Sequence, residues 1–236
     1  MKTLVIIPAY NEAENLVSTV EDLRTRFPDG DLLVVNDGST DATAAVCREK
    51  GYPLLDLPVN LGIGGCVQTG YRYARDRGYD AAVQFDADGQ HMAEYIPALL
   101  EPLREGRADL VIGSRFLEKQ SFRSAALRRA GIGFLSGLVR LLCGVRIRDI
   151  TSGMRAADRK AIAFFAEEYA QDYPEPESVL AAGLEGLRLA EVGVEMRPRQ
   201  GGASSITPMR SVYYMIKVSL ALLLRRTWGR RRGHAE

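Results

Sequence analysis

The stretch AAVQFDADGQH, residues 81–91, places a short apolar segment directly before a cluster of acidic and amide side chains. A strand-forming run followed by a polar or glycine-containing turn occurs five times in the first 115 residues. Because helical periodicity separates these runs, the pattern predicts an α/β domain with a mostly parallel central sheet flanked by helices. The predicted strands are Leu4–Ile7, Leu32–Val35, Leu54–Leu57, Ala81–Phe85 and Leu110–Ile112, and the predicted helices are Glu12–Arg26, Asp41–Glu49, Ile63–Arg77 and Ala93–Arg104.

The regular alternation stops near residue 116. The later elements are a segment rich in arginine and leucine at 122–144, a polar turn at 149–155, helices at 157–168 and 177–187, an edge strand at 189–196, a loop at 199–205 and a helix from Pro208 to about Arg226. No linker is long enough to separate a second domain. We therefore predict one domain over residues 1–206, with halves near 1–115 and 116–206, and a basic amphipathic helix and tail over 207–236.

Composition and charge narrow the class of protein. The 236 residues are 46% apolar and 26% charged, which is typical of a globular chain. The net charge of +1 gives no overall positive potential that would attract nucleic acid. The charge is uneven, because residues 209–236 hold seven basic residues and one acidic residue. The three cysteines are far apart, so the sequence predicts neither a disulfide framework nor a zinc site, and a reducing compartment is expected. No apolar run reaches the roughly 20 residues of a membrane span.

The polar residues after the strands are expected to meet at one edge, because ligands of open α/β sheets bind beyond the carboxyl ends of the strands. Asp86 and Asp88 are alternate residues, so both carboxylates can face one site. Paired carboxylates suit Mg²⁺ or Mn²⁺ together with substrate phosphates, and Gln90 could add an amide oxygen. The alternative is a solvated turn with capping aspartates. His91 is expected to be a hydrogen-bonding partner rather than a ligand.

The polar and glycine residues at the other strand ends also have more than one interpretation. Asp37 either forms a turn that caps the next helix or accepts hydrogen bonds from a base or ribose, and Asp41 resembles the N-cap more closely. Glu12 is either a partner of the helix dipole or a ribose or base contact. Gly62-Ile63-Gly64 fits the dinucleotide fingerprint poorly, since Val67 stands where Gly or Ala is needed, and no P-loop motif is present. A glycine-rich helix start that admits a nucleotide is the better interpretation.

Together these motifs resemble a known family. PAYNE, NDGSTD, NLGIGG, DADGQH, GSR and DITSGMR follow one another at residues 8–12, 36–41, 60–65, 86–91, 113–115 and 149–155. In this order they resemble the family 2 glycosyltransferases of GT-A fold, in the branch similar to dolichol-phosphate mannose synthases. The specific resemblance covers about residues 3–155 and becomes looser afterwards.

The resemblance implies roles for individual residues. The nucleotide-sugar pocket would be lined by Pro8, Ala9, Tyr10, Glu12, Asp37, Asn60, Gly62 and Asp86. The metal would be held by Asp86, Asp88 and Gln90, and the catalytic residues would be Asp86, Asp88 and Arg115. The acceptor phosphate would be met by Arg115, Arg128, Arg129, Ser152 and Arg199, with Asp149 and Thr151 in the same motif.

The implied activity is inverting transfer of a hexose or N-acetylhexosamine from a UDP- or GDP-sugar to a polyprenyl phosphate at the cytoplasmic membrane face, with Mg²⁺ or Mn²⁺. A lipid phosphate is already anionic, so the site needs cations rather than a strong base. A hydroxyl acceptor, as in polysaccharide synthesis, would need an acidic side chain that acts as a general base, and the candidates are Glu175 and Glu177 in YPEPE. The alternative for both residues is that they form the start of a helix. A sugar-phosphate nucleotidyltransferase and a non-catalytic scaffold are further alternatives.

Contact with a membrane is expected from two segments without a span. In residues 209–228, one helical stripe carries Arg210, Tyr214, Lys217, Ala221 and Arg225, and the other faces are apolar. Such a helix can lie in a bilayer interface, and so can 122–144; the alternative for both is packing on the core with solvated basic residues. Because no appended span follows, docking on a small integral membrane partner is also expected, and a homo-oligomer stays open.

Overall fold

The computed structural model describes residues 1–117, 126–197 and 208–232, without the side chains of 126–128, 208–212 and 228–232. The fold is built on a seven-stranded sheet in the order β3-β2-β1-β4-β6-β5-β7. Its strands are β1 Thr3–Ala9, β2 Asp31–Asn36, β3 Leu54–Asp56, β4 Ala81–Gln84, β5 Leu110–Ser114, β6 Arg155–Asp158 and β7 Leu189–Gly193. The helices are α1 Ala13–Arg26, α2 Thr43–Lys50, α3 Gly62–Asp76, α4 Ile96–Arg104, α5 Ala126–Cys143, α6 Arg159–Glu167, α7 Pro174–Leu184 and α8 Pro208–Arg232, with a 3₁₀ turn at Ala93–Tyr95.

The predicted α/β architecture is confirmed, and the first five strands lie where the alternation indicated. The strand β1 continues through Pro8 to Ala9, beyond its predicted end. Proline is tolerated there because the pairing of β1 with β4 stops at Ile6, while pairing with β2 continues to Ala9. The predicted edge strand is β7, which lies at the end of the sheet beside β5.

The strand β6 was not predicted. The sequence predicted a polar turn up to residue 155 and a helix from residue 157. In the structure, residues 155–158 instead pair antiparallel with both β4 and β5. The run Arg-Ala-Ala-Asp has no alternation and little strand preference, so its conformation is imposed by the two neighbouring strands. Its last residue, Asp158, then caps α6 by accepting a hydrogen bond from the backbone N–H of Ala161. The helix therefore begins at Arg159 rather than at 157.

Alternate residues of the central strands pack into two layers. In β1, Val5 and Ile7 face a cluster formed with α1 and α4, while Leu4 and Ile6 face a cluster formed with α3 and α6. A third cluster joins three helices beside the end of β5. Its buried members are Ile112, Leu135, Val139, Ile147, Ile150, Val179, Leu180, Val218 and Leu222.

The helix α8 therefore packs on the body of the protein, through Val218 and Leu222. Its opposite side is exposed and apolar, with Tyr213, Ile216, Leu220, Leu223 and Leu224. Of the stripe named in the sequence, Tyr214 and Arg225 contact α7 and the end of α6, whereas Lys217 is exposed. None of the described helices is long and apolar enough to cross a bilayer.

The first turn of α3 lies against the link between α6 and α7. A Cβ atom at Gly64 would meet the carbonyl oxygen of Ala170 at 2.1 Å and the Cα of Gln171 at 2.6 Å. These are backbone atoms, which cannot move as a flexible side chain can. The helix and the link could approach this closely only at a glycine.

We predict that Gly64→Ala lowers the free energy of unfolding by about 1–3 kcal/mol, because the added methyl group overpacks this contact. Gly133→Ala is the matched control, since it also adds one methyl group to a helix but meets open space. Removing an exposed glycine from a helix is expected to stabilise the protein by about 0.5–1 kcal/mol. Urea unfolding of both variants measures the difference, and equal effects would contradict the assigned contact.

Candidate active site

An open pocket of about 320 Å³ lies at the carboxyl ends of β1, β2 and β4. Every residue predicted to line a nucleotide-sugar pocket is found in its wall, together with Asp88. The lining residues are Pro8, Ala9, Tyr10, Glu12, Asp37, Asn60, Gly62, Ile63, Cys66, Asp86, Ala87 and Asp88. Motifs that are separate in the sequence thus share one cavity, as expected for the polar edge of an α/β sheet.

The loops after β1 and β2 hold each other in place. Asn11 adopts a left-handed φ of 56°, and its Oδ1 accepts hydrogen bonds from the backbone N–H groups of Thr40 at 2.8 Å and Asp41 at 3.3 Å. The carboxylate of Asp41 accepts from the N–H of Thr43 at 2.9 Å and from that of Ala13 at 3.2 Å. Asp41 therefore ties the starts of α1 and α2 together, although the capping position of α2 itself is Ala42.

Asp37 joins the second and third loops. Its side chain is buried, and Oδ1 accepts a hydrogen bond from the backbone N–H of Leu61 at 2.7 Å. Gly38 has a φ of 65°, and a Cβ there would meet the backbone nitrogen of Asn60 at 2.8 Å. The glycine in NDGSTD is thus required by both conformation and space. Asp37 fixes the 60–62 turn and lines the pocket, which explains why capping alone did not account for it.

The glycines of NLGIGG have different roles. Gly62 lines the pocket with a φ of 76°. Gly64 faces Ala170 and Gln171, and a Cβ at Gly65 would meet the side chains of Leu61 and Gln171. The expectation that this helix start admits a nucleotide therefore applies to Gly62, while Gly64 and Gly65 serve helix packing.

His91 organises the DADGQH turn. Its ring is buried against Phe85 in an edge-to-face contact with centroids 5.3 Å apart. Nδ1 accepts a hydrogen bond from the backbone N–H of Asp86 at 2.9 Å, and Nε2 lies 3.5 Å from Oδ2 of Asp86. Burial lowers the pKa of His91 to about 4, so the ring is neutral with its proton on Nε2. His91 is thus a partner of Asp86 rather than a free base.

Asp86 and Asp88 supply the donor set that a divalent cation needs. Both carboxylates line the pocket and are partly exposed, with Oδ1 of Asp88 accepting the backbone N–H of Gln90 at 3.0 Å. Among the described residues, no group of three or more His, Cys, Asp or Glu is arranged to enclose a metal. Two carboxylates with open positions fit Mg²⁺ or Mn²⁺ that also binds phosphate oxygens. Gln90 is outside the pocket wall, and its carbonyl accepts the N–H of Arg197 at 2.9 Å.

Arg115 lies at the end of β5 and forms a buried ion pair. Its Nε donates to Oδ2 of Asp149 at 2.7 Å and its Nη2 donates to Oδ1 at 2.8 Å. Nη2 also donates to Oγ1 of Thr151 at 3.0 Å. Asp149 is fully buried, and its own N–H donates to Oε1 of Glu191 at 2.9 Å. Asp149 and Thr151 of DITSGMR thus hold the guanidinium of GSR, which gives both motifs a shared structural role.

The DITSGMR loop also touches the aspartate pair. A Cβ at Gly153 would meet Oδ2 of Asp86 at 2.7 Å, so the carboxylate lies directly on this glycine. Ser152 is buried, and its Oγ accepts the N–H of Met154 at 3.3 Å. The loop that contains Ser152 therefore lies beside Asp86.

Arg155 ends the DITSGMR motif, and sequence reasoning assigned it no role. Of the side chains that the structure describes, that of Arg155 is the largest to be fully buried. Its guanidinium donates to the carbonyl oxygens of Ser152 at 2.7 Å, Ile150 at 3.1 Å and Glu175 at 2.9 Å, and to Oγ of Ser178. The signal available in the sequence was an arginine directly before two alanines. A charge among small apolar residues is buried only when it is fully hydrogen-bonded.

The two acids of YPEPE point to different surroundings. Glu177 has its Oε2 3.7 Å from Nη1 of Arg225 in α8. Glu175 is half-buried near Arg155 and Asp86. Burial raises the pKa of the Glu175 carboxyl, Asp86 raises it further, and Arg155 acts in the opposite direction. Of the two acids, Glu175 is therefore the one whose charge interacts with Asp86 in the pocket wall.

Among the described residues, no further arginine predicted to bind the acceptor phosphate lies in the pocket wall. Arg129 is exposed on α5. The side chain of Arg128 and the whole of Arg199 lie outside the described residues. Their predicted contact with an acceptor phosphate stays a prediction.

Comparison with known proteins identifies the family. The model of Glycosyl transferase family 2 matches residues 4–165, which is more than half of the chain. The chain belongs to this family. It is therefore a glycosyltransferase, which excludes the nucleotidyltransferase considered from the sequence.

Two curated relatives are similar over most of the chain. Undecaprenyl-phosphate mannosyltransferase of Micrococcus luteus is 35% identical over 216 residues, covering 88% of each chain. Polyprenol monophosphomannose synthase of Mycolicibacterium smegmatis is 37% identical over 168 residues, covering 68% of this chain and 63% of the relative. Among solved structures, glucosyl-3-phosphoglycerate synthase of Mycobacterium tuberculosis with Mn²⁺, UDP-glucose and phosphoglyceric acid has a TM-score of 0.71 at 22% identity, covering 95% of this chain and 79% of that one. The shared fold is GT-A.

We predict that Gly153→Ala displaces the Asp86 carboxylate, because the new methyl group occupies the position next to Oδ2. Metal-dependent nucleotide affinity is expected to fall roughly 10- to 100-fold, as when a contact that orients a ligand is lost. The melting temperature is expected to change little, since the atom that moves is at the end of a side chain. Calorimetric titration of UDP or GDP with Mn²⁺ measures the affinity, with Gly137→Ala as the control at an open position. Unchanged nucleotide affinity would contradict the role of Gly153.

Proposed function

We propose that this glycosyltransferase moves a hexose or N-acetylhexosamine from a UDP- or GDP-sugar to a polyprenyl phosphate, with inversion at the anomeric carbon. The observation that carries the proposal is the single pocket that contains both the predicted nucleotide-binding residues and the Asp86–Asp88 pair. The names of the two mannosyl-transferring relatives support the lipid phosphate acceptor. A third relative, from Methanococcus voltae, is named as a dolichyl-phosphate N-acetylglucosaminyltransferase and is 29% identical, so the sugar is left as a class.

The donor half of the proposal assigns the pocket to the nucleotide diphosphate. Asp37 and Glu12 would accept hydrogen bonds from the base or ribose, and Pro8, Ala9, Tyr10, Asn60 and Gly62 would shape the cavity around it. Asp86 and Asp88 would hold Mg²⁺ or Mn²⁺, with Gln90 as a further proposed ligand. When bound, such a cation stabilises the charge of the leaving diphosphate as a Lewis acid. The Mn²⁺ and UDP-glucose that accompany the mycobacterial synthase in its crystal structure support this choice.

The acceptor half assigns the region of Arg115 and Ser152 to the lipid phosphate. A phosphate oxygen would form the new bond to the anomeric carbon while the bond to the diphosphate oxygen breaks and its electron pair leaves with the diphosphate. Because this nucleophile is already anionic, no strong base is needed. Arg115 is oriented by Asp149 and Thr151, and we propose that it meets the phosphate together with Arg128, Arg129 and Arg199.

The membrane side of the proposal rests on two neighbouring helices. The exposed side of α8 is apolar, and the helix α5 that packs against α8 also exposes two large apolar side chains, Phe134 and Leu141. Basic residues follow at 230–232, which favours an anionic bilayer surface. We propose that these helices rest on the cytoplasmic face of the membrane. A small integral membrane partner and self-association are the alternatives for the same surface.

Transfer to a hydroxyl acceptor is the second candidate, and one observation favours it. Glu175 is half-buried close to Asp86, and the raised pKa of its carboxyl suits a group that takes up a proton. Glu177 is the weaker candidate for such a base, since Arg225 engages it.

The test of the proposal is release of nucleoside diphosphate from UDP- and GDP-sugars by the purified protein, with Mg²⁺ or Mn²⁺ and a short polyprenyl phosphate. We expect release with one donor that depends on both lipid and metal. Asp88→Asn, which keeps the size and removes the charge, is expected to lower turnover by at least about 100-fold without altering the melting temperature.

Release without lipid phosphate but with a hydroxyl acceptor, and loss of that release in Glu175→Gln, would favour the second candidate. Turnover of Asp88→Asn equal to that of the unaltered protein would refute the metal site. Asp56→Asn is the control for a charge removed at a strand end outside the pocket wall.

We predict that the protein sediments with vesicles containing anionic phospholipid. The double substitution Leu220→Ser and Leu224→Ser is expected to weaken this binding roughly tenfold or more, because each leucine loses apolar area available to the bilayer. Val59→Ser, at a similarly exposed residue in the loop between β3 and α3, is expected to leave vesicle binding unchanged. Equal sedimentation of all three proteins would contradict the bilayer contact, and sedimentation only with added membrane proteins would indicate a protein partner.

A further inference from the structure

The helix α8 contacts the first turn of α7 at two points. Near the start of α8, the ring of Tyr214 packs edge-on against that of Tyr173, with centroids 5.3 Å apart. Further along α8, Nη1 of Arg225 lies 3.7 Å from Oε2 of Glu177, and its Nη2 donates to Oε1 of Glu168 at 2.6 Å. The two contacts lie on either side of Glu175. The turn of α7 that carries Glu175 is therefore held from outside by α8.

The same turn is held from inside by Arg155. Nη2 of Arg155 donates to the backbone oxygen of Glu175, which also accepts from Oγ of Ser178 at 3.1 Å. Burial, followed by the negative charge of Glu175, raises the pKa of Tyr214 to about 12. The start of α7 is thus fixed between a buried cation and the inner face of α8.

The contacts continue from this turn to the aspartate pair. Arg155 also binds the carbonyl oxygens of Ile150 and Ser152, which belong to the loop containing Gly153. Gly153 in turn lies against the carboxylate of Asp86. A displacement at the first turn of α7 would therefore be passed to the loop beside Asp86 through one rigid guanidinium.

The ion pairs of Arg225 are not the only contacts that hold α8. Val218 and Leu222 are fully buried in the third core cluster, and Met215 packs against it. Partly exposed ion pairs contribute little to stability. Yet Arg225 is only 19% exposed and reaches acids on two separate elements. Its placement is better explained by the position it imposes on α7 than by the stability it adds.

We propose that Arg225 and Tyr214 are positioning residues for sugar transfer. They hold the first turn of α7, whose Glu175 carbonyl binds Arg155, so that the 149–153 loop keeps its place beside Asp86. The inference rests on the proposed function for its effect on turnover, and it goes further by making the C-terminal helix a support of the reaction centre. The face of α8 that meets the protein then has a different task from the face proposed to meet the bilayer.

The test compares Arg225→Gln with Arg226→Gln, which removes the same charge one residue later, where the side chain is near Cys143 of α5. Turnover is measured with a water-soluble, short-chain polyprenyl phosphate and no membranes, so that vesicle binding plays no part. We expect kcat of Arg225→Gln to fall roughly 10- to 100-fold, the loss expected from small misplacement of reacting groups, with the donor KM unchanged. Arg226→Gln is expected to match the unaltered protein, and Arg225→Lys to recover part of the loss.

A double variant and hydrogen exchange separate positioning from general damage. Arg225→Gln combined with Glu177→Gln is expected to lose no more activity than the larger single loss, because both changes break one contact. Amide exchange in residues 173–178 and 149–153 is expected to rise in Arg225→Gln, while exchange in α1 and the melting temperature stay as they were.

Each outcome decides one of the two proposals. Turnover and exchange of Arg225→Gln equal to those of Arg226→Gln, with the unaltered protein active, would overturn the positioning role. Faster exchange throughout the chain would overturn it as well, since that indicates unfolding. If the unaltered protein releases no nucleotide in response to the lipid, the proposed function fails, while exchange confined to the two segments still supports the link between α8 and the loop.

Discussion

The buried guanidinium of Arg155 is the interaction on which the two halves of the site depend. A cation that is 1% exposed is tolerated only if its donors are satisfied, and here they are directed at three carbonyl oxygens and a serine hydroxyl. Two of these oxygens belong to the 149–153 loop and one to the start of α7. Because Arg155 opens the antiparallel strand β6, between β4 and β5, this network lies between the strands that precede Asp86 and Arg115.

The aspartate pair therefore has two kinds of neighbours. Toward the nucleotide pocket it continues into loops that bind one another through Asn11, Asp41 and Asp37. On the other side it rests on Gly153, whose loop also contains the partner of Arg115. An acceptor bound at Arg115 and a diphosphate bound at Asp86 would thus be aligned by one short segment of backbone. This arrangement suits a reaction in which the two substrates must meet at a single carbon.

Much of this could be predicted from the sequence, for a physical reason. Periodicity of apolar residues indicates strands and helices, so the first five strands were predicted, and parallel strands bring their polar ends to one edge. The eight residues expected in a nucleotide-sugar pocket were named from the family resemblance, and all eight line the pocket. Contacts between distant segments leave no such pattern. The pairing of Arg115 with Asp149, 34 residues apart, could not be read from either motif. The strand β6 was missed because four residues between two strands take their conformation from those neighbours. The ion pairs of Arg225 with Glu168 and Glu177, which join α8 to two other elements, likewise leave no periodic pattern in the sequence.

The orientation of α8 has a consequence for how this surface would vary among related chains. An exposed helix face normally accepts almost any hydrophilic residue, whereas its buried face accepts only apolar ones. Under the proposed positioning role, the inward face needs a guanidinium at Arg225 beside the buried Val218 and Leu222. Under the proposed bilayer contact, the outward face needs apolar side chains at Leu220 and Leu224. Substitutions at these three positions would therefore depart from the usual rule, with leucine exchanged for isoleucine on the outside and the arginine retained inside. A hydrophobicity profile of α8 alone would therefore assign its exposed apolar side to the protein core.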